Sequence, residues 1–289
     1  MLCLPARRYQ EVSGLPVVEI RERSAHANLP STMLEDLLVS DLDYFCAAAR
    51  SERLPCCTLY RMPGLESLAA GCVVHDIDVG LAAQDSNWLH KIETYLRNCG
   101  YKHARFYQQQ RAPNLIKQFL EGDYRRVHEV ALIAEVETKR QSSDMLDIEL
   151  RPVVTDEDWA KKLELHHDVA EDPDGHSSQA EKWVDMERQK CAAGYMAAFF
   201  ICANNDICGT VNLSLTTRIA RLKYLVVHPL WRRKGIGICA AAQFVHLAKI
   251  HGRPAAGCFS LSNVAALQMY KRAGYIPIGE QIEWFKVLQ

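Results

Sequence analysis

The sequence predicts an α/β protein made of two similar domains in tandem. Three observations carry that reading. Runs of helical and of strand periodicity alternate along the chain. Both halves open on a like stretch, "VEIRE" from Val18 and "IELRP" from Ile148, and both close on the same order of elements. Between them lies "ETKRQSSDMLD", Glu137 to Asp147, polar, serine-containing and without period, which reads as a linker. With 289 residues the chain has room for two domains of about 100–200 residues each. An internal duplication is the simplest account, with a first domain over residues 1–140 and a second over 146–289.

In the first half, Trp88 to Asn98 reads as an amphipathic helix, "HARFYQQ" as a strand, "PNLIKQFLEGDY" as a helix and "RRVHEVALIAEV" as a strand. The second half answers with a helix from Ile238 to His251, a strand "AAGCFSL", a helix "NVAALQMYKRAGY" and a strand "IPIGEQIEWFKVL". Glu19 stands 105 positions before Tyr124, and Glu149 stands 126 before Tyr275, so the first copy is 21 residues shorter. The shortfall lies upstream of the Trp88 helix. There the second copy has a β-rich run and "HPLWRRKGIG".

A hydrophobic fraction of 48% and a charged fraction of 24% are ordinary for a globular protein and exclude a disordered or fibrous chain. The N-terminal "MLCLPARRYQEV" lacks the apolar core of a signal peptide, and the longest apolar run, Tyr195 to Ala203, is far short of a membrane span. The expectation is a soluble, cytoplasmic protein. Eleven cysteines without CxxC spacing suggest reduced, mostly buried thiols. The net charge of −1 conceals a segregation: Ile207 to Gly279 carries ten Lys and Arg and no acid, whereas residues 147–206 hold fourteen acids and six bases. One face is expected to hold an anion and another to favour a cation.

The stretch "LVVHPLWRRKGIG", Leu225 to Gly237, runs from a β-rich segment through a proline turn and a glycine loop into a helix of small residues. A helix start placed so aims several backbone N–H groups at one point, where the helix dipole adds positive potential. Gly235 and Gly237 permit positive φ and close approach of the backbone, and Arg232, Arg233 and Lys234 supply charge around the rim. A phosphate fits there; an ordinary turn with solvated cations is the plainer alternative. A Walker loop is excluded because no GxxxxGK followed by Ser or Thr occurs. "GIGICA" matches GxGxxA, but no acid follows before Glu280 and only 54 residues remain after Gly235, too few for a dinucleotide-binding domain.

With "VVHP" before it, this stretch resembles motif A of the GCN5-related N-acetyltransferase (GNAT) superfamily, and "SLSNVAALQMYKRAGYIPIG" resembles its motif B. The resemblance covers most of residues 147–289, with "YMAAFFICANNDICGTVNLSLT" as the preceding hairpin. It implies two GNAT-like domains, each a mixed, mostly antiparallel sheet flanked by helices. It also implies an N-acyltransferase that passes acetyl from acetyl-CoA, the co-substrate, to a primary amine on a small molecule or peptide, with no metal. Carried over, Leu225, Val226 and Val227 pair with the pantetheine arm through their main chain. Arg232, Arg233, Lys234, Gly235, Ile236, Gly237 and Ile238 hold the pyrophosphate, Asn263 and Ala266 line the pantetheine, and Tyr270 protonates the departing thiolate. A phenol near pKa 10 can donate as charge develops on a thiolate near 8.5. Aligning Tyr124 with Tyr275 sets Phe119 opposite Tyr270, so the first copy lacks hydroxyl and loop alike and reads as a degenerate domain.

The base is left open. Deprotonating an amine of pKa about 10.4 at pH 7 costs about 4.6 kcal/mol, yet the strand positions where many family members carry a glutamate hold residues such as Arg221 and Cys258. Candidates for a proton relay lie in "LELHHDVAEDPDGHSSQAEKW": His166, His167, Asp168, Glu171, Asp172, Asp174 and His176. Solvated capping acids are the alternative, and no metal-ligand spacing is present. His228, beside Pro229, reads as structural. An acyl-CoA-binding sensor without turnover is the rival function. Nucleic-acid binding is disfavoured, because few aromatics interleave with the cations.

Overall fold

The structure is a computed structural model. It describes residues 32–108, 112–136, 147–169, 179–215, 217–261 and 264–288. In chain order the elements are α1 (Met33–Cys46), β1 (Arg50–Leu54), β2 (Cys57–Arg61), β3 (Cys72–His75), α2 (Val79–Gln84), α3 (Trp88–Asn98), β4 (His103–Gln108), α4 (Pro113–Glu121) and β5 (Arg125–Glu135). Then follow β6 (Glu149–Pro152), α5 (Asp156–Val169), α6 (Ala180–Ala192), β7 (Ala197–Ala203), β8 (Asp206–Ser214), β9 (Ile219–Val227), α7 (Ile236–Ile250), β10 (Ala255–Leu261), α8 (Val264–Arg272) and β11 (Ile276–Val287). From α6 onward the second half repeats the order of helices and strands that starts at α1, with α2 as the insertion in the first. The opening "VEIRE" and most of the linker tract lie outside the described residues.

Two compact units form, and they are not consecutive segments. The larger takes residues up to Tyr44 together with Ala131–Gly279, and the smaller takes Phe45–Val130 together with Glu280–Gln289. These differ from a division into 1–140 and 146–289. The reason is visible in β11, whose later part pairs antiparallel with β4, Trp284 facing Phe106. The closing strands β5 and β11 therefore each begin in one unit and end in the other.

In the smaller unit the strands run β1-β2-β3-β4-β11-β5. Burial of Trp88, Leu89, Ile92 and Leu96 on one face of α3 follows from their helical spacing. The core is aromatic. Phe119 stacks on Trp284 with centroids 5.0 Å apart, and Trp88 meets Phe106 edge-on at 5.8 Å.

In the larger unit the end of β5 is followed by β10, β9, β8, β7 and β6. Neighbours from β6 to β9 are antiparallel, whereas β9 and β10 are parallel, so the sheet is mixed. Asn204 and Asn205 both take positive φ (51° and 69°), the two-residue turn that suits the twist of the β7–β8 hairpin. Helix α1 opens on a capping box: Glu35 N–H donates to Thr32 Oγ1 (3.2 Å) and Thr32 N–H to Glu35 Oε2 (2.7 Å). Its Leu37 packs with Ala131, Ile133, Ile219 and Ala255. The ten described cysteines are free thiols, seven of them buried. Among the described residues no helix is long and apolar enough to cross a membrane.

One turn beyond Leu37, the buried Asp41 accepts from Arg221 Nη2 (2.9 Å) and Lys223 Nζ (2.6 Å) through its Oδ1. Burial pushes its carboxyl up, but Lys223 and Arg221 outweigh that and hold it well below the usual carboxylate range. Asp41→Ala removes the carboxylate that two enclosed cations share. Urea unfolding of that variant is expected to show a loss of about 3–5 kcal/mol; a loss under about 1 kcal/mol would contradict this account.

Candidate functional site

The site grows from a strand pair that stops early. Parallel pairing joins Ile219, Ala220 and Arg221 of β9 to Ala255, Ala256 and Gly257 of β10. Both strands continue, β9 to Val227 and β10 to Leu261, so a gap opens between their C-terminal ends. On its other edge β9 stays paired with β8 as far as Val227 opposite Gly209. That ladder shifts register between Lys223 and Val226, where Tyr224 has φ 51°, a bulge that re-aims the neighbouring main chain. Tyr224 is braced by the rings of Trp183 (5.4 Å) and Tyr44 (6.1 Å). Leu225, Val226 and Val227 are half-buried at this open edge.

After β9 the chain turns sharply through Pro229–Trp231. His228 Nδ1 accepts from Leu230 N–H (3.3 Å), and Arg232 Nε donates to Val227 O (3.0 Å), which ties the loop to the strand end. Arg233 (φ 63°) and Gly235 (φ 84°) then lead into α7, with Gly235 at the N-cap. The first intrahelical bond there runs from Cys239 N–H to Gly235 O (3.0 Å), so the amides of Ile236, Gly237 and Ile238 precede it and point out of the helix start. Arg233 and Lys234 are exposed beside them, Lys234 Nζ standing 4.6 Å over the Trp231 ring. This is the geometry of an anion site.

Sequence reasoning gave both glycines the same task. Positive φ falls instead on Arg233 and Gly235. Gly237 lies inside α7, where a Cβ would come within 2.6 Å of Met269 Sδ, so it lets α8 pack close. The helix also starts two residues earlier than Ile238, because the N-cap glycine needs no side chain to begin it.

Helix α8 carries Ala266, half-buried, and Tyr270, buried. Asn263 lies outside the described residues. Burial first, then the neighbouring Cys258, pushes the Tyr270 phenol well above its ordinary value, so it stays protonated at neutral pH. Cys258 is the first residue of β10 beyond the paired stretch, which sets the phenol where the gap begins. The Tyr275 ring meets it at 5.5 Å.

On β8, Thr210 and Asn212 face α5 and α6. Lys162 Nζ donates to Thr210 Oγ1 (2.5 Å) and lies 3.1 Å from Glu187 Oε2, while Asn212 Nδ2 donates to Glu187 Oε1 (2.6 Å). Lys162 and Glu187 are both fully buried. His166 Nε2 stands 3.6 Å from Glu187 Oε2, and two residues on, Asp168 Oδ2 is 3.7 Å from His228 Nε2. Of the other relay candidates, His167 is exposed on α5, whereas Glu171, Asp172, Asp174 and His176 lie outside the described residues. The cluster around Lys162 was missed in the sequence, since a lysine on an amphipathic helix normally faces water. Among the described residues no group of three or more His, Cys, Asp or Glu side chains forms a metal site.

Residues 196–277 match the family model described as "Acetyltransferase (GNAT) domain". Over that stretch the chain is similar to GNAT acetyltransferase domains. The match takes in both resembling stretches, the loop after β9 and helix α8. Solved structures share the fold over most of the chain. A GCN5-related N-acetyltransferase from Kribbella flavida gives a TM-score of 0.62 at 14% identity, over 88% of this chain and 95% of that one. Another, from Sphaerobacter thermophilus, gives 0.58 at 15%, over 81% and 77%. A tandem GNAT protein from the clavulanic acid biosynthesis pathway gives 0.53 at 14%, over 93% and 90%. At these identities the likeness concerns the fold alone. No curated protein matches the sequence significantly.

Burial pushes the Glu187 carboxyl up, but Lys162, then His166 and Asn212, bring it down to about 2, against an ordinary value of 4.5. A carboxyl that binds its proton less tightly folded than unfolded adds stability above pH 4.5 and loses it as pH falls towards 2. Across that window the urea midpoint of the wild type is expected to fall more steeply than that of Glu187→Gln; parallel profiles would contradict the assignment.

Proposed function

We propose that the GNAT domain is an N-acyltransferase that passes acetyl from acetyl-CoA to a primary amine by direct attack, without a covalent enzyme intermediate. The observation that carries this reading is the open edge of β9 running into the uncapped start of α7. An extended pantetheine would pair with the main chain of Leu225, Val226 and Val227 as an added strand. Its pyrophosphate would meet the amides between Arg233 and Ile238, with Arg232 bracing the loop and Lys234 at the rim. Asn263 and Ala266 are assigned to the pantetheine wall. A backbone N–H at the bulge would stabilise the oxyanion of the thioester carbonyl.

Tyr270, protonated and beside the gap, is assigned the proton that the thiolate takes up as it leaves. The smaller unit has no such set. Phe119 stands in the place of Tyr270 and is packed against Trp284, and just ahead of α3, the helix that answers to α7, Asp85 Oδ1 accepts from Asn87 N–H (3.0 Å), which puts a carboxylate where an anion would sit. An acyl-CoA-binding sensor without turnover is the second reading. It is favoured by Arg221 and Cys258 standing where a glutamate is expected.

Coenzyme A release is measured with acetyl-CoA and a panel of alkylamines, polyamines and lysyl peptides. Tyr270→Phe is expected to lower kcat by about a hundredfold while leaving acetyl-CoA binding intact; an unchanged kcat removes Tyr270 from this role. Tight binding without release for any amine would favour the sensor. Gly235→Ala places a Cβ at positive φ, a strain of about 1–2 kcal/mol, and is expected to weaken acetyl-CoA binding about tenfold by calorimetry. Equal affinity would place the pyrophosphate elsewhere.

A further inference from the structure

Direct attack needs a neutral amine, and the strand positions at the gap supply no proton acceptor, for Arg221 is a buried cation and Cys258 a buried thiol. The last turn of α5 does. Resting on the acyltransfer reading above, we propose that His166 Nδ1 takes the proton from the incoming ammonium and that Glu187 is its positioning residue.

The Nε2 atom of His166 is buried and faces the Glu187 carboxylate at 3.6 Å. A neutral imidazole that keeps its proton on the nitrogen facing a carboxylate leaves its lone pair on the other. The side chain retains 18% exposure, so Nδ1 is the nitrogen left to an incoming group. Of the groups packed around the pair, Lys162 on α5 and Asn212 on β8 hold the carboxylate, Thr210 on β8 accepts from Lys162, and the Cys191 thiol on α6 lies near. Thr210 and Asn212 lie opposite Val226 and Lys223 of β9. Asn212, which holds the Glu187 carboxylate, thus sits on the strand beside the bulge, and neighbouring strands lie about 4.8 Å apart. Asp168 reaches His228 at the end of β9 (3.7 Å), so the last turn of α5 spans from the buried cluster to the mouth of the loop. His228 is the poorer candidate, since Leu230 N–H engages its Nδ1 and Asp168 faces its Nε2.

The protons balance. The ammonium R–NH3+ gives one proton to His166 Nδ1, and the neutral amine attacks the thioester carbonyl carbon. As the C–N bond forms, the carbonyl electrons move onto oxygen. They return as the C–S bond breaks, and the thiolate takes the Tyr270 proton. The nitrogen, still carrying an extra proton, restores that proton to Tyr270, and His166 releases its own to solvent.

The test uses the full chain, acetyl-CoA and the best amine of the panel. His166→Ala is expected to lose kcat about a hundredfold with acetyl-CoA binding unchanged, and added imidazole is expected to restore at least a tenth of the lost rate. Glu187→Gln is expected to lower kcat with the KM for amine unchanged. A His166→Ala enzyme with wild-type kcat overturns the proposal, as does a folded one whose loss imidazole does not relieve. If the wild type binds acetyl-CoA and turns over no amine, it is the acyltransfer reading that fails, and this assignment falls with it.

Discussion

The site depends on where β9 and β10 part. Backbone N–H and C=O groups are obligatory hydrogen-bonding partners. A strand that loses its neighbour after Arg221 therefore presents a row of them that water or an extended ligand must satisfy. Pairing with β8 out to Val227 keeps that row straight, and the bulge at Tyr224 re-aims part of it. The chain then passes within one short loop from the open edge to the start of α7. A ligand with an extended amide-bearing arm and an anionic end matches that sequence of surfaces, which neither the strand edge nor the helix start would specify alone.

Much of this was legible because it is local. Glycine beside proline, a β-branched run before and small residues after mark a strand, loop and helix start wherever they occur. The alternation of helix and strand in the two halves survives in the element order. What sequence reasoning could not see is pairing at a distance. Asp41 and Arg221 are 180 positions apart, and nothing in "MLEDLLVSDLDYFC" marks one acid of four as the buried partner of a cation in the other half. The same holds for the ends of β5 and β11. An internal duplication predicts two closed halves, and only the pairing of β11 with β4 reveals the exchange. Gly237 was read by analogy with Gly235, although one residue needs positive φ and the other needs only to be small.

The two copies follow one order of elements and differ at the helix start that comes after the third strand. After β9 the helix begins on a glycine with no side chain, and its amides stay open. After the much shorter β3 and the inserted α2, the helix that answers to α7 is α3, and just ahead of it the Asp85 carboxylate satisfies an amide and carries the wrong charge for a phosphate. On the following helix, Tyr270 lies against Cys258 at the edge of a gap, whereas Phe119 is stacked into an aromatic core. Each difference trades a group available to a ligand for one that serves the fold.

The buried charges of the larger unit bear on that trade. Removing two charges from water is costly, and a buried ion pair is often no more stabilising than a well-packed apolar pair of the same size. Stability alone therefore does not account for a lysine and a glutamate enclosed between α5, α6 and β8. The pair fixes a negative charge held by Lys162 and Asn212, and an imidazole stands 3.6 Å from that carboxylate. A carboxylate held with its pKa near 2 stays ionised through the working range of most enzymes. Its effect on His166 is then constant, a matter of ring orientation and of which nitrogen keeps its proton. A buried pair that would be a poor device for stability is for that reason a sound one for orientation.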